Sequence, residues 1–206
     1  AHNIKNILLM NKGAQELMDM SLEGADERIR RSWSLVRKCL ERINDLSADM
    51  LNFTRVQPFS LKTVDINASI LSNQRLFIES LSRGKIALRF ELQDSLPPWE
   101  MNEPGLQRAL LNLVVNAHDA FETPEGGEIV VFSSLDASGR LHIGVRDNGP
   151  GIPEDSLDKI FQLFYTTKST KGTGLGLPMV QKFVENMGGQ VTVESEPGAG
   201  ATFTMI

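Results

Sequence analysis

Four short stretches of the chain carry residue types that chemistry needs. The first is KGTGLGLPMVQKF, in which Gly172, Gly174 and Gly176 run into an amphipathic segment. A dinucleotide fingerprint wants an apolar strand directly before its glycines and an acid about 20 residues on. Here the polar run Thr166 to Lys171 precedes them, and the Gly-Lys-Ser/Thr ending of a phosphate loop is also missing. What remains is a flexible loop entering a helix, with Pro178 tolerable in the first turn. Such an end offers unpaired N–H groups and a positive dipole to phosphate, and Lys168 and Lys171 add charge. The second stretch, RDNGPGIP, puts Asp147 at the end of an apolar alternation. A carboxylate there can accept from an amino group such as the exocyclic amine of adenine, while Gly149 and Gly151 let backbone approach a flat ring. The third, ALLNLVVNAHDAF, spaces Asn112 and Asn116 four apart, on one face of a helix. An asparagine carbonyl is a suitable oxygen ligand for Mg²⁺, which keeps waters and binds phosphate oxygens as well. The fourth is AHNIKNIL, where His2 stands among Asn3, Lys5 and Asn6. Each stretch alone also has an ordinary structural explanation: a flexible loop, a good turn, a polar helix face and a surface histidine.

The elements that must position these residues follow from periodicity. Residues 1 to 55 contain no proline, and the spacing Ile29, Trp33, Val36, Leu40, Ile43, Ser47, Met50, Thr54 alternates steps of four and three. That is a heptad seam, which calls for a partner helix. Ile7, Met10, Ala14 and Leu17 mark one stripe of an earlier helix, and Ser21 to Ala25, containing Gly24, reads as the turn between them. A helical hairpin alone has little core, and two hairpins packed as a four-helix dimer supply one. Gln57-Pro58 breaks the helix. Beyond it the pattern predicts a strand near 61–64, a helix over 66–82, a strand over 85–92 and a helix over 105–122. Strands over 128–135 and 140–147, a helix over 177–187 and strands over 190–195 and 201–206 complete it. This mixture predicts an α+β layer, one mixed sheet covered by helices. In the third stretch Leu110, Leu111, Leu113, Val114 and Val115 are expected to face the core.

Composition bounds the alternatives. At 206 residues and 41% apolar the chain can build a sizeable core, and a net charge of −5 without a basic block argues against nucleic acid. The single Cys39 excludes an internal disulfide framework and is expected to be plain helix packing. His2, His118 and His142 have no metal-ligand spacing. No run is long enough to span a membrane, so no membrane contact is expected of this stretch. The start within a helical pattern, without Met, suggests an N-terminally truncated fragment whose upstream part could hold an anchor.

In combination the stretches are recognisable. NLVVNAHDA, DNGPGI, IFQLFYTTK and GTGLGL occur in order and resemble the N, G1, F and G2 boxes of the histidine kinase ATP-binding domain, of the GHKL superfamily. GAGATF resembles its closing segment, so the resemblance covers about residues 60 to 206. It implies a GHKL (Bergerat-type) α+β two-layer sandwich over 57–206, preceded by a dimerising, phosphoacceptor hairpin over 1–56. It implies ATP and Mg²⁺ as cofactors. Asn116 would bind the metal and Asn112 support the site, while Asp147 contacts adenine above Gly149 and Gly151. Phe161 and Phe164 would hold the base of a lid, and Gly172, Thr173, Gly174, Leu175 and Gly176 would line the triphosphate, with Lys168 as a further phosphate contact. Tyr165 and His118 are near the site in sequence and are read as packing or rim.

The resemblance also gives the N-terminal histidine a role. AHNIKNIL matches the family's phosphoacceptor box at His2, Lys5 and Asn6. It implies autophosphorylation of His2, transfer to an aspartate of a response regulator, a homodimer through the hairpin and a cytoplasmic kinase core. Asn3 replaces the family's acid: it accepts a hydrogen bond but takes up no proton. Ile7 replaces the usual proline, so the helix should lack the customary kink. Asn6 is either a water-orienting residue for regulator dephosphorylation or a solvated helix residue. Two rivals stay open. Another GHKL ATPase would carry an acid upstream of the second asparagine, which Arg108 to Asn112 lacks. A degenerate nucleotide-binding dimeric scaffold without phosphotransfer has Asn3 in its favour.

Overall fold

Local signals start and stop the first two helices. The computed structural model describes residues 2–22, 24–54, 60–81, 86–121, 125–167 and 172–206, with backbone alone at 2–9, 42, 45, 48, 49 and 51–54. Helix α1 spans His2–Ser21 and α2 spans Glu27–Thr54. Gly24, at φ +86°, takes the left-handed conformation that the turn between them requires. Asp26 then caps α2: its Oδ1 accepts from the N–H of Arg28 at 2.7 Å. The Gln57-Pro58 break lies outside the described residues.

The chain divides into two compact units, one of Ala1–Val56 with Thr166–Leu175, the other of Gln57–Tyr165 with Gly176–Ile206. In the first, polar contacts tie α1 to α2. Asn11 Nδ2 donates to Asn44 Oδ1 at 3.0 Å, and Trp33 Nε1 and Arg37 both donate to Asp19, at 2.6 and 3.0 Å. The Trp33 hydrogen bond, foremost, holds the Asp19 carboxyl below its usual range. The heptad seam is open on this unit: Ile29 is 52% and Ile43 54% exposed. Cys39 is exposed, not packed as expected, because it flanks the seam rather than lying in it.

The second unit is built on a five-stranded mixed sheet. Its strands are β2 (Ala87–Leu92), β4 (Glu128–Leu135), β5 (Leu141–Asp147), β7 (Gly200–Met205) and β6 (Val191–Glu196), in the order β2-β4-β5-β7-β6. β2 runs parallel to β4 and the other pairs are antiparallel, so the predicted mixed sheet is present. A small second sheet pairs β1 (Lys62–Val64) with β3 (Trp99–Met101), a strand that the sequence pattern does not announce. It directly follows Pro97-Pro98, and three residues are too few for an alternation to register.

Helices α3 (Ile66–Ser72), α4 (Gln74–Ser80), α5 (Glu103–Ala120), the one-turn α6 (Glu154–Leu157) and α7 (Gly176–Asn186) complete the unit. The single helix expected over 66–82 is two helices. Asn73 interrupts it at ψ 0°, with its buried side chain donating to the Ser69 carbonyl, a local competitor for helical hydrogen bonds. Asn102 caps α5 through the Gly105 N–H at 2.7 Å. One face of α5 meets the sheet: Leu106, Leu110, Leu113 and Val114 are buried with Ile66, Ile70, Phe77, Ile129, Val131, Val145, Val180 and Phe203. Val115, expected in the core, is 37% exposed, since a helix stripe of this width covers only part of its circumference. Leu111 is half-buried at the edge of the core. Among the described residues no helix is long and apolar enough to cross a membrane.

Candidate functional site

The end of β5 delivers the most constrained carboxylate. Alternation along Leu141–Asp147 buries Leu141, Ile143 and Val145, and the same parity turns Asp147 inward. Asp147 is 7% exposed. Its Oδ1 accepts from the Gly149 N–H at 2.8 Å. Burial pushes its carboxyl above the ordinary range, and the backbone N–H groups of Gly149 and Ala201 oppose that shift. A buried carboxylate with unspent acceptor capacity suits a ligand that brings its own N–H donors.

The loop after β5 is fixed by the chain itself. Gly151, at φ +72°, sits so close to the Glu196 carbonyl that a Cβ would lie 2.2 Å from its oxygen. Ile152 N–H donates to Ser195 Oγ, which in turn donates to the Gly200 carbonyl. The glycine at 151 is therefore required by packing against β6 and β7. In the sequence Gly149 and Gly151 point only to ring approach, and neither marks Ser195, Gly200 or Ala201 as supports of Asp147. GAGATF was the signal available for the last two. Phe121, at the end of α5, also borders Gly149, with ring carbons 3.7 Å from the position its Cβ would take.

Asn112 and Asn116 share the face of α5 that the spacing predicts. Asn112 Nδ2 is buried and has no hydrogen-bond partner among the described residues. Its side chain lies 3.9 Å from the Cβ position of Gly176, the first residue of α7. An orphaned donor thus stands beside a helix N-terminus whose first N–H groups have no intrahelical acceptors. Both favour an anion. Asn116 supplies the carbonyl oxygen type that Mg²⁺ accepts. His118 Nδ1 meets Asp119 Oδ1 at 3.2 Å two residues further on.

Phe161 packs partly buried against the core, whereas Phe164 is 56% exposed and held at φ +66°. A bulky side chain in the left-handed region costs energy, of order 1–3 kcal/mol. Tyr165 OH donates to Ser156 Oγ at 3.1 Å, tying this segment to α6. Gly172, Thr173, Gly174 and Leu175 belong to the first compact unit and Gly176 to the second. Lys168 and Lys171 lie outside the described residues, as do the side chains of His2, Asn3 and Asn6; the backbone of those three is helical in α1.

Comparison with known proteins bears on this arrangement. Residues 101–206 match the family described as histidine kinase-, DNA gyrase B-, and HSP90-like ATPase. The chain is 34% identical over 205 residues to the sensor histidine kinase ZraS of Escherichia coli (strain K12), covering 100% of this chain and 43% of that protein. It thus spans less than half the length of the curated relatives it matches. Among solved structures, full-length ShkA in complex with AMPPNP superposes with a TM-score of 0.72 at 26% identity, covering 98% of this chain and 44% of that one. Histidine kinase ThkA in complex with the response regulator protein TrrA superposes with a TM-score of 0.70 at 26% identity, covering 99% and 58%.

Proposed function

Because the chain belongs to the family of histidine kinase-, DNA gyrase B- and HSP90-like ATPases and carries a sensor histidine kinase catalytic domain, we propose that it binds ATP, phosphorylates His2 and passes the phosphoryl group to an aspartate of a response regulator. The observation that carries the nucleotide half is the orphaned Asn112 donor beside the start of α7, with Asp147 buried at the end of β5. Asp147 accepts the adenine amine. Asn112 and the N–H groups of α7 face phosphate oxygens. Gly172, Thr173, Gly174, Leu175 and Gly176 are assigned to the triphosphate, and Phe161 and Phe164 to the base of the loop that covers it, on the resemblance of their motifs. The AMPPNP complex of ShkA and the TrrA complex of ThkA support nucleotide and regulator as ligands.

Asn116 would hold Mg²⁺, which neutralises charge on the phosphate oxygens when bound. At pH 7 an imidazole of ordinary pKa is mostly neutral and carries a free nitrogen lone pair. In the transfer, a bond forms between that nitrogen of His2 and the γ-phosphorus, the bond from phosphorus to the bridging oxygen breaks, and ADP leaves. The ring then sheds its N–H proton. Asn3 can orient that N–H but cannot take the proton, so water must receive it. Residues 1–56 would be the dimerising and phosphotransfer region and 57–206 the ATP-binding region. The half-exposed seam of Ile29 and Ile43 supports a homodimer, in which two hairpins cover one another.

The test is incubation with γ-labelled ATP and Mg²⁺, followed by acid and base treatment of the labelled protein. Label that is acid-labile, base-stable and absent from His2→Ala is the expected result. Bound nucleotide without label, in this chain and in one extended upstream, would favour the second reading, a binding scaffold, for which Asn3 speaks.

A further inference from the structure

We infer that Arg108 binds the terminal phosphoryl group of the nucleotide, making it a residue that distinguishes triphosphate from diphosphate; this rests on the ATP reading above. α5 places Arg108 one turn before Asn112, so their Cβ atoms lie about 6 Å apart on one helix face. That face turns away from Leu106, Leu110, Leu113 and Val114, which fill the core. α7 runs antiparallel alongside. A Cβ on Gly105 would meet the Phe183 ring at 2.6 Å, and one on Gly176 would lie 3.9 Å from the Asn112 side chain. Arg108 falls in sequence between those two contacts, alongside the first half of α7.

Its partners are the informative part. The exposed arginines of the sheet and its β4–β5 turn, Arg89, Arg140 and Arg146, each have a carboxylate partner: Glu128, Asp136 and Glu91. Arg108 is partly buried, and among the described residues it has neither an ion pair nor a hydrogen bond. A guanidinium keeps its charge at any working pH and presents a fork of donors that matches phosphate. Withdrawing such a charge partly from water without a counter-ion is costly. One turn away Asn112 Nδ2 is likewise unpartnered. Two unspent donors on one face, beside the free N–H groups of a helix start, converge on an anion. Asn112 and the helix serve the inner phosphates, and Arg108, further along α5, reaches the outermost one. ADP lacks that group and loses nothing.

Calorimetric titration of the 206-residue chain with AMPPNP and with ADP, each with Mg²⁺, tests this. Arg108→Ala should weaken AMPPNP by roughly 10- to 100-fold and ADP by less than about 3-fold, the loss of one charge-assisted contact. Arg108→Lys should recover part of the difference, since it restores charge without the fork. Because the result is a ratio of two ligands on one protein, a partly folded variant does not mimic it, and Arg108→Gln reads the same ratio if Arg108→Ala fails to fold. Equal weakening of both nucleotides, or no change in either, would overturn the inference. A wild-type chain that binds neither nucleotide would overturn the nucleotide reading itself, and this one with it.

Discussion

The hairpin and the mixed-sheet unit treat their apolar residues in opposite ways. In the sheet unit Ile66, Phe77, Leu110, Ile129, Val145 and Phe203 form one buried cluster, covered by its own helices. Along the described hairpin the one buried side chain is Gln15, while Met10, Leu17, Ile29, Leu35 and Ile43 are exposed. One region satisfies its core within a single chain. The other presents a seam that only a further helical surface can cover. The difference separates the two tasks proposed here: a self-sufficient nucleotide-binding body, and a phosphoacceptor element whose stability depends on assembly.

The contrast can be broken most severely from the sheet side. Phe77→Ala should cost about 3–5 kcal/mol and lower a melting transition that does not depend on protein concentration. Calorimetry over a hundredfold concentration range reads this. On the hairpin side, the pair Ile29→Asp and Ile43→Asp should convert dimer to monomer in sedimentation while AMPPNP affinity changes by less than about 2-fold. A monomeric wild-type chain would remove the premise of the seam.

Asp147 places a functional cost inside the stable unit. Asp147→Asn should lower nucleotide affinity by about 30- to 100-fold through loss of a charged acceptor. Its effect on the ligand-free fold has a sign fixed by the raised pKa. Burial favours the neutral carboxyl in the native state, so that contribution is full below the unfolded value near 4 and is lost as pH rises through the native one. The melting temperature of Asp147→Asn minus that of wild type should therefore grow between pH 4 and pH 7. A difference that shrinks over this range would contradict the burial argument.

Smaller effects follow at Asn3 and Asp136. Asn3→Asp should speed autophosphorylation about tenfold by supplying a proton acceptor, less than the usual 10²–10⁴-fold of a general base because water already takes the proton in the wild type. Equal initial rates of label incorporation would remove Asn3 from the mechanism. Asp136 closes the β4–β5 turn, where the Ser138 hydroxyl, the Arg140 N–H and His142 hold its carboxyl far below the ordinary range. A depressed pKa contributes stability that is present above the unfolded value near 4 and lost as pH falls through the native one. Asp136→Asn should thus lower the melting temperature slightly at pH 7, with the gap to wild type narrowing in acid.

Much of this was legible in the residues. Helix α5 was bounded to within two residues at each end, and β4 matched its expected range at both, because an amphipathic stripe and an apolar alternation are local signals. The pairing of Asn112 with Asn116 on one face follows from helical spacing alone. The interruption at Asn73 was not legible: the buried hydrogen bond to Ser69 that stabilises it depends on what packs above. Nor was β3, whose three residues are a strand only because β1 lies beside them. The exposure of Val115 and Cys39 likewise depends on which neighbours are supplied, not on hydrophobicity.

The order of motifs, the seam of the second helix, the parity that turns Asp147 inward and the family to which these belong are written in the residues. Such features are set by periods of a few residues and by side-chain chemistry, which the chain carries wherever it folds. The strand order, with β2 parallel to β4, the backbone of β6 and β7 that forces glycine at 151, and the approach of Gly176 to Asn112 arise in the folded chain alone. So do the desolvation of Asp147 and the unspent donors of Asn112 and Arg108. Those properties belong to pairs of residues far apart in the chain, and no local pattern fixes which partner arrives.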